Sequence, residues 1–156
     1  MARNDYYNYL KSHSVDTGKI EGYEYFIVPA PIEDALNGYV VFPKKPVRES
    51  DYNGILTYVP VHGGITLCEH CKEGSIYGFD TLHCDSESFP RTDKEWIKSE
   101  IKVMIDGILK AKEVELKYLK CTTNKGKAKY CQMVQDIKPE TEHNFGVMIN
   151  LLSGQL

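Results

Sequence analysis

The stretch from Val59 to Asp85 constrains this chain more than any other. It reads Val59-Pro60-Val61-His62-Gly63-Gly64-Ile65-Thr66-Leu67, then a polar insert from Cys68 to Ser75, then Ile76-Tyr77-Gly78-Phe79-Asp80-Thr81-Leu82-His83-Cys84-Asp85. Val59, Val61, Ile65 and Leu67 share one parity of an extended chain, and Pro60, His62, Gly64 and Thr66 share the other. Such alternation predicts a strand. Tyr77 and Phe79 alternate in the same way with Ile76, Gly78 and Asp80, and the insert with its Gly74 suits a hairpin loop. The expectation is two antiparallel strands with His62, Thr66 and Asp80 on a shared face. Gly63-Gly64 inside a strand marks a bulge or a close approach to the backbone. A lone strand histidine is usually structural and a glycine pair usually a bulge. What points to a site is the convergence of His62, Asp80 and His83 on one glycine-lined spot.

The rest of the chain supplies a scaffold. Tyr6, Tyr9 and Leu10 have helical spacing, which predicts a short N-terminal helix with its tyrosines as packing residues. Tyr23 to Val28 reads as a strand ended by Pro29-Ala30-Pro31. Ile32 to Leu36 suits a turn of helix, Asn37-Gly38 a tight turn, and Tyr39 to Phe42 a second strand stopped by Pro43. Lys44 to Gly54 is a polar loop. Its Lys44, Lys45 and Arg48 are the nearest cations for a phosphate, although such a loop is more often simply solvated. The clearest helix follows Phe89-Pro90. Thr92-Asp93-Lys94-Glu95 has the form of a capping box, and Trp96, Ile97, Ile101, Met104, Ile105 and Ile108 make an apolar stripe. This helix runs to about Lys112 or on to Lys120, with Gly107 tolerated inside it. Glu100 lies on it, facing either the sheet or solvent. Further on, Ala128 to Ile137 and Phe145 to Leu152 read as strands. The last of these docks on the core or on a second copy in a homo-oligomer.

Composition narrows the function classes. The chain has 156 residues, 42% of them hydrophobic and 26% charged, which suits one soluble domain over 1–156 with a substantial core. A net charge of −3 argues against coating a long nucleic acid. It leaves room for a small nucleotide, and seven lysines between Lys110 and Lys129 against two acids make a local basic run. No apolar run approaches the roughly 20 residues of a membrane span. The N-terminus has no secretory apolar core, so the expected location is a cytoplasm. There the five cysteines should be thiols. Cys68-x-x-Cys71 lacks the second pair of a zinc ribbon and reads as two loop thiols rather than a metal site.

The pattern Asn37-Gly38-Tyr39-Val40, Pro43, Asp51-Tyr52, Val61-His62-Gly63-Gly64-Ile65-Thr66, Gly78-Phe79-Asp80-Thr81-Leu82-His83 and Glu100 resembles a family of small proteins found in phages and bacteria. Its members carry paired "VHGGLT" and "GFDCAH" motifs and a helix near the end. The resemblance covers about 36–110, which makes about 121–156 an addition. This chain departs from it at Thr81-Leu82, at the early position of Asp85, and at Cys68 and Cys71. Small phage proteins of this kind include antagonists of nucleotide-signalling immunity, which cleave or sequester the signal. If the chain is phage-encoded, its cytoplasm is that of the host cell.

The fold class expected is α+β, an antiparallel sheet of about five or six strands packed on one long amphipathic helix. The leading expectation for function is a phosphodiesterase-like hydrolase of a cyclic or related nucleotide signal, needing no cofactor and no metal. In it His62 and His83 are base and acid, and Asp80 orients one imidazole. Gly63, Gly64, Thr66, Asp85, Lys44 and Lys45 hold the ligand. The alternative is a sponge that binds the same nucleotide with the same residues and leaves it intact.

Overall fold

The computed structural model describes residues 3–32, 34–48, 55–83, 85–120 and 123. Helix α1 spans Arg3–His13. Five strands follow: β1 Asp16–Ile20, β2 Tyr23–Pro29, β3 Leu36–Phe42, β4 Leu67–Cys71 and β5 Gly74–Phe79. Helix α2 closes the described chain at Lys94–Lys120. The strands form one antiparallel sheet in the order β1-β2-β3-β5-β4. This is the α+β class that the sequence predicts, with five strands and the long helix against the sheet.

Each face of the sheet has its own helix. Strand alternation sends Tyr25, Ile27, Val40, Phe42, Tyr77 and Phe79 to one face. There they pack with Ile97, Ile101, Met104, Ile105 and Ile108 of α2. The 3–4 spacing of these helix residues makes one continuous stripe. All five are fully buried, and removing one such side chain typically costs about 2–5 kcal/mol. Phe26, Val28, Val41 and Ile76 point the other way and meet Leu10, Tyr6 and Tyr7 of α1. Tyr6 and Tyr7 thus serve packing, with the Tyr7 hydroxyl donating to Glu24 at 2.7 Å, whereas Tyr9 is exposed and does not.

The long helix starts one residue later than a Thr92 cap requires. Asp93 is the capping residue: its Oδ1 accepts the Glu95 N–H at 2.9 Å, and its carbonyl accepts the Ile97 N–H at 3.1 Å. A carboxylate at this position also meets the positive end of the helix dipole. Gly107 has a packing reason. A Cβ there would stand 2.7 Å from Val59 and 3.2 Å from Pro60, so the glycine lets this segment lie directly on the helix.

Several local expectations change. Val59 to Thr66 is not a strand, and Leu67 instead begins β4. Ile55–Tyr58 is a turn of 3-10 helix, and the Gly64 N–H then turns back to the Val61 carbonyl at 2.8 Å. Val59 and Val61 are buried as their alternation suggests, but against α2 and without a ladder. The expected hairpin loop is itself largely strand. β4 and β5 pair directly, with Cys71 opposite Gly74, so Lys72 and Glu73 alone make the turn. Asn37-Gly38 lies inside β3, opposite Val28 and Ile27, rather than in a turn. The strand β1 carries no apolar alternation and pairs at the sheet edge through the turn Glu21-Gly22, both at positive φ. The segments expected at Ala128 to Ile137 and Phe145 to Leu152 lie outside the described residues.

Candidate functional site

Strand direction decides where the chemistry gathers. β3 runs from Leu36 to Phe42 and β5 runs back beside it, with Gly38 opposite Phe79 and Phe42 opposite Ser75. Asp80, just after β5, therefore lies at the end of the sheet where β3 begins. β4 also starts at that same end, and the described residues Val47, Leu56, Val59 and Val61 between β3 and β4 pack against α2. His62 lies in this connection.

The connection is pinned at the His62 peptide. Glu100 of α2 accepts the His62 N–H at 2.9 Å through Oε1. Glu100 thus faces the site rather than open solvent. His62 is only 8% exposed. Its ring lies edge-on to Phe89 at 4.6 Å, to Trp96 at 5.3 Å and to the His83 ring at 5.8 Å between centroids. His62 Nε2 is 2.8 Å from the hydroxyl of Ser86, a fully buried residue. The same hydroxyl accepts the His83 N–H at 3.0 Å.

Gly63 and Gly64 both have positive φ, 70° and 80°, and complete the turn. The position a Gly63 Cβ would take is filled by the His83 imidazole. The second histidine therefore rests on the bare backbone of the loop that carries the first. Around a Gly64 Cβ there is nothing within 4 Å.

The loop after β5 is held by its own polar groups. The Thr81 hydroxyl donates to the Leu36 carbonyl at 2.9 Å, and the Thr81 N–H donates to Asn37 Oδ1 at 3.2 Å. The Arg91 guanidinium donates to the Thr81 carbonyl at 3.1 Å. Asp80 Oδ1 accepts the Leu82 N–H at 3.0 Å, a local turn typical of aspartate. It also stands 3.3 Å from His83 Nε2. That contact is an ion-pair distance without hydrogen-bond geometry, for Nε2 is shut off from solvent and has no hydrogen-bond partner. Asp80 thus sets a carboxylate beside the His83 ring without a hydrogen bond between them. The His83 side chain is 33% exposed, so its exposed part lies on its other atoms.

Electrostatics separate the two rings. Burial pushes His62 below the usual histidine range, and the neighbouring His83 adds to this. Asp85 and Asp80 pull the other way. Near neutral pH His62 is therefore an uncharged ring in an apolar box, while His83 sits beside a carboxylate.

The expected site residues fall into two groups. His62, Gly63, Asp80 and His83 come together, with Asp85 close enough for its charge to act on His62. Thr66 joins the sheet through its N–H to the Gly78 carbonyl at 2.9 Å, at the same end. Lys44 and Lys45 do not join them. They are exposed residues beyond Phe42, at the opposite end of the sheet. Nearby Arg48 donates its N–H to Glu115 at 2.9 Å, and Glu115 is about 22 Å along α2 from Glu100 at 1.5 Å per residue. A cavity of about 290 Å³ bordered by Lys19, Tyr23, Glu24 and Glu73 also lies at that far end. Ser86, Thr81, Phe89 and Trp96 were missed as site residues. Serine three residues after a histidine carries no distinctive signal, and Trp96 was absorbed into the helix stripe.

The thiols are placed by strand parity. Cys68 packs toward α2 and Cys71 toward α1, on opposite faces of β4. Both are half-buried strand residues rather than loop thiols, and they cannot share one metal ion. Among the described residues no three histidine, cysteine or acidic side chains gather as metal ligands, and no helix is long and apolar enough to cross a membrane. The chain matches no model of a known protein family, no curated protein and no solved structure.

Proposed function

We propose that the cluster of His62, His83 and Asp80 is an acid–base site acting on the phosphodiester of a nucleotide signal, so that the protein is a phosphodiesterase-like hydrolase of the anti-defence kind. The observation that carries this reading is the meeting of two imidazoles of unlike environment, 5.8 Å apart, with a carboxylate on the exposed one. A pair of titratable groups held in different surroundings is what general acid–base chemistry requires. Two histidines do not readily produce hydroxide from water. They can activate a hydroxyl already beside the phosphorus, and the free 2′-OH of a 3′–5′ linked ribonucleotide is such a group. Attack by that oxygen is intramolecular and gains many orders of magnitude in effective concentration; it forms a 2′,3′-cyclic phosphate, breaks the bond from phosphorus to the 5′-oxygen, and the proton taken from the 2′-OH goes to that leaving oxygen. Gly64 leaves open space for the ligand beside the loop of His62, and Arg91 brings a guanidinium to the loop of Asp80. Lys44 and Lys45 have no part in this site.

The burial of His62 favours a second reading. A ring this enclosed, with one nitrogen engaged by Ser86, is well suited to be a fixed hydrogen-bonding partner. The protein then sequesters the nucleotide and leaves it whole. One experiment separates the two. The purified protein is incubated with a panel of cyclic and linear 3′–5′ nucleotides in EDTA, then denatured, and the supernatant is chromatographed. New products support the hydrolase. Intact nucleotide released only on denaturation replaces it with the sponge, and no retained or altered nucleotide rejects both.

A further inference from the structure

We propose that Ser86 is a positioning residue that decides which nitrogen of His62 carries the proton: its hydroxyl donates to Nε2, so the neutral ring holds its hydrogen on Nδ1. The argument is a count of donors and acceptors. Among the described residues the Ser86 hydroxyl meets two polar groups, the His83 N–H at 3.0 Å and His62 Nε2 at 2.8 Å. The first can only donate, so it takes one lone pair of Oγ. If Nε2 also donated, Oγ would accept twice and its own hydrogen would be left without an acceptor. Ser86 is fully buried, so water cannot take that hydrogen, and a buried donor without a partner is costly. The arrangement that satisfies all three groups is N–H of His83 to Oγ, and Oγ–H to Nε2. A neutral imidazole with a bare Nε2 carries its hydrogen on Nδ1. Burial of His62 supports the neutral form.

The charged and titratable groups around His62 are compatible with this assignment. Glu100 of α2 is engaged by the main-chain N–H of His62. Asp80 and Asp85 act on the ring through charge, and the remaining ring neighbours from α2 and its approach are Trp96 and Phe89. One hydroxyl therefore ties the ring of the first histidine to the main chain of the second, which fixes their mutual placement as well as the tautomer.

The assignment deepens the proposed function and rests on that reading for its consequence. With Nε2 occupied, His62 presents Nδ1–H to a ligand, as a hydrogen-bond donor to a phosphoryl oxygen rather than as the base. The base is then His83. Its ring takes the proton of the attacking hydroxyl and returns it to the departing 5′-oxygen, with the Asp80 carboxylate 3.3 Å from its Nε2.

The test needs no substrate. Protein labelled with ¹⁵N-histidine gives separate ring-nitrogen signals for the two neutral tautomers, read at a pH about one unit above the ordinary histidine value of about 6.5. In the parent protein His62 should show a bare Nε2 and a protonated Nδ1. Ser86→Thr, which keeps the hydroxyl, should preserve that pattern. Ser86→Ala should move it toward the other tautomer or a mixture. A parent spectrum with the proton on Nε2 overturns the assignment, and so does a folded Ser86→Ala protein with an unchanged pattern. If Ser86→Ala does not fold, the parent and Ser86→Thr spectra still decide the assignment. A failed nucleotide assay with the expected spectrum rejects the hydrolase and leaves the tautomer standing. Cleavage with the opposite spectrum does the reverse.

Discussion

The His83 imidazole occupies the space that a side chain at residue 63 would need. This relationship joins the two sequence motifs physically, and it turns a glycine pair into two residues with different duties.

Gly63→Ala and Gly64→Ala should therefore differ. Both place alanine at positive φ, which costs about 1–2 kcal/mol. At Gly64 the methyl meets open space, so nothing further is expected. At Gly63 it displaces the His83 ring, adding an overpacking cost of about 1–3 kcal/mol. Urea unfolding should rank Gly63→Ala as the less stable, and only that variant should lose the proposed activity. Equal behaviour of the two would show that the contact with His83 does not matter.

Stability should fall on acidification because of His62. An unfolded histidine binds a proton near about pH 6.5, while burial delays this in the folded protein. Between the two values the unfolded chain holds more protons, so folding stability decreases as pH drops. The contribution of His62 is whole above the unfolded value and shrinks as pH falls toward the folded one. Denaturation midpoints measured from pH 8 to 5 should show this slope, and His62→Asn should flatten it. An unaltered slope in the variant would assign the effect elsewhere.

Activity should follow the division of the expected site. His83→Ala and His62→Ala should each reduce the rate by about 10²-fold or more, with the fold retained by circular dichroism. Asp80→Asn should reduce the rate, since it removes the carboxylate beside His83. Lys44→Ala and Lys45→Ala, at the other end of the sheet, should change it little. Cleavage should persist in EDTA and fail on a 2′-deoxy substrate.

Serine at Cys68 and Cys71 should leave activity intact. The two thiols face opposite sides of β4, so each change is a local packing loss of about 1 kcal/mol. Melting curves and zinc content of the double variant check this. Stoichiometric zinc in the parent protein, lost together with folding in the variant, would contradict it.

Much of the architecture was legible because the central strands and α2 bury strongly patterned residues. Tyr23 to Val28, Tyr39 to Phe42 and Ile76 to Phe79 sit in the middle of the sheet. The two strands that escaped, β1 and β4, are its edges. Asp16 to Ile20 and Leu67 to Cys71 are partly solvated on both sides and need no alternation, so polar residues there looked like loop. Val59 to Leu67 misled for the converse reason. Val59 and Val61 alternate because they lie on α2 near Gly107, and burial against a helix left the same trace as burial in a sheet. The histidines and Asp80 were legible as chemistry beside glycine. Lys44 and Lys45 were placed by charge alone, and charge says nothing about which end of a sheet a loop leaves from. Ser86 was hidden because a hydroxyl acquires its meaning only from what surrounds it.

The bond from the His62 main chain to Glu100 spans 38 positions of sequence. Its consequence is temporal. A chain still on the ribosome that has emerged only as far as Asp85 already carries both histidines, yet the His62 main-chain N–H lacks its Glu100 acceptor until α2 leaves the exit tunnel and docks. The centre is therefore completed only after the strands that frame it. The exchange of the His62 amide hydrogen for deuterium is then a clock for helix docking, and it should slow when α2 arrives rather than when the sheet forms.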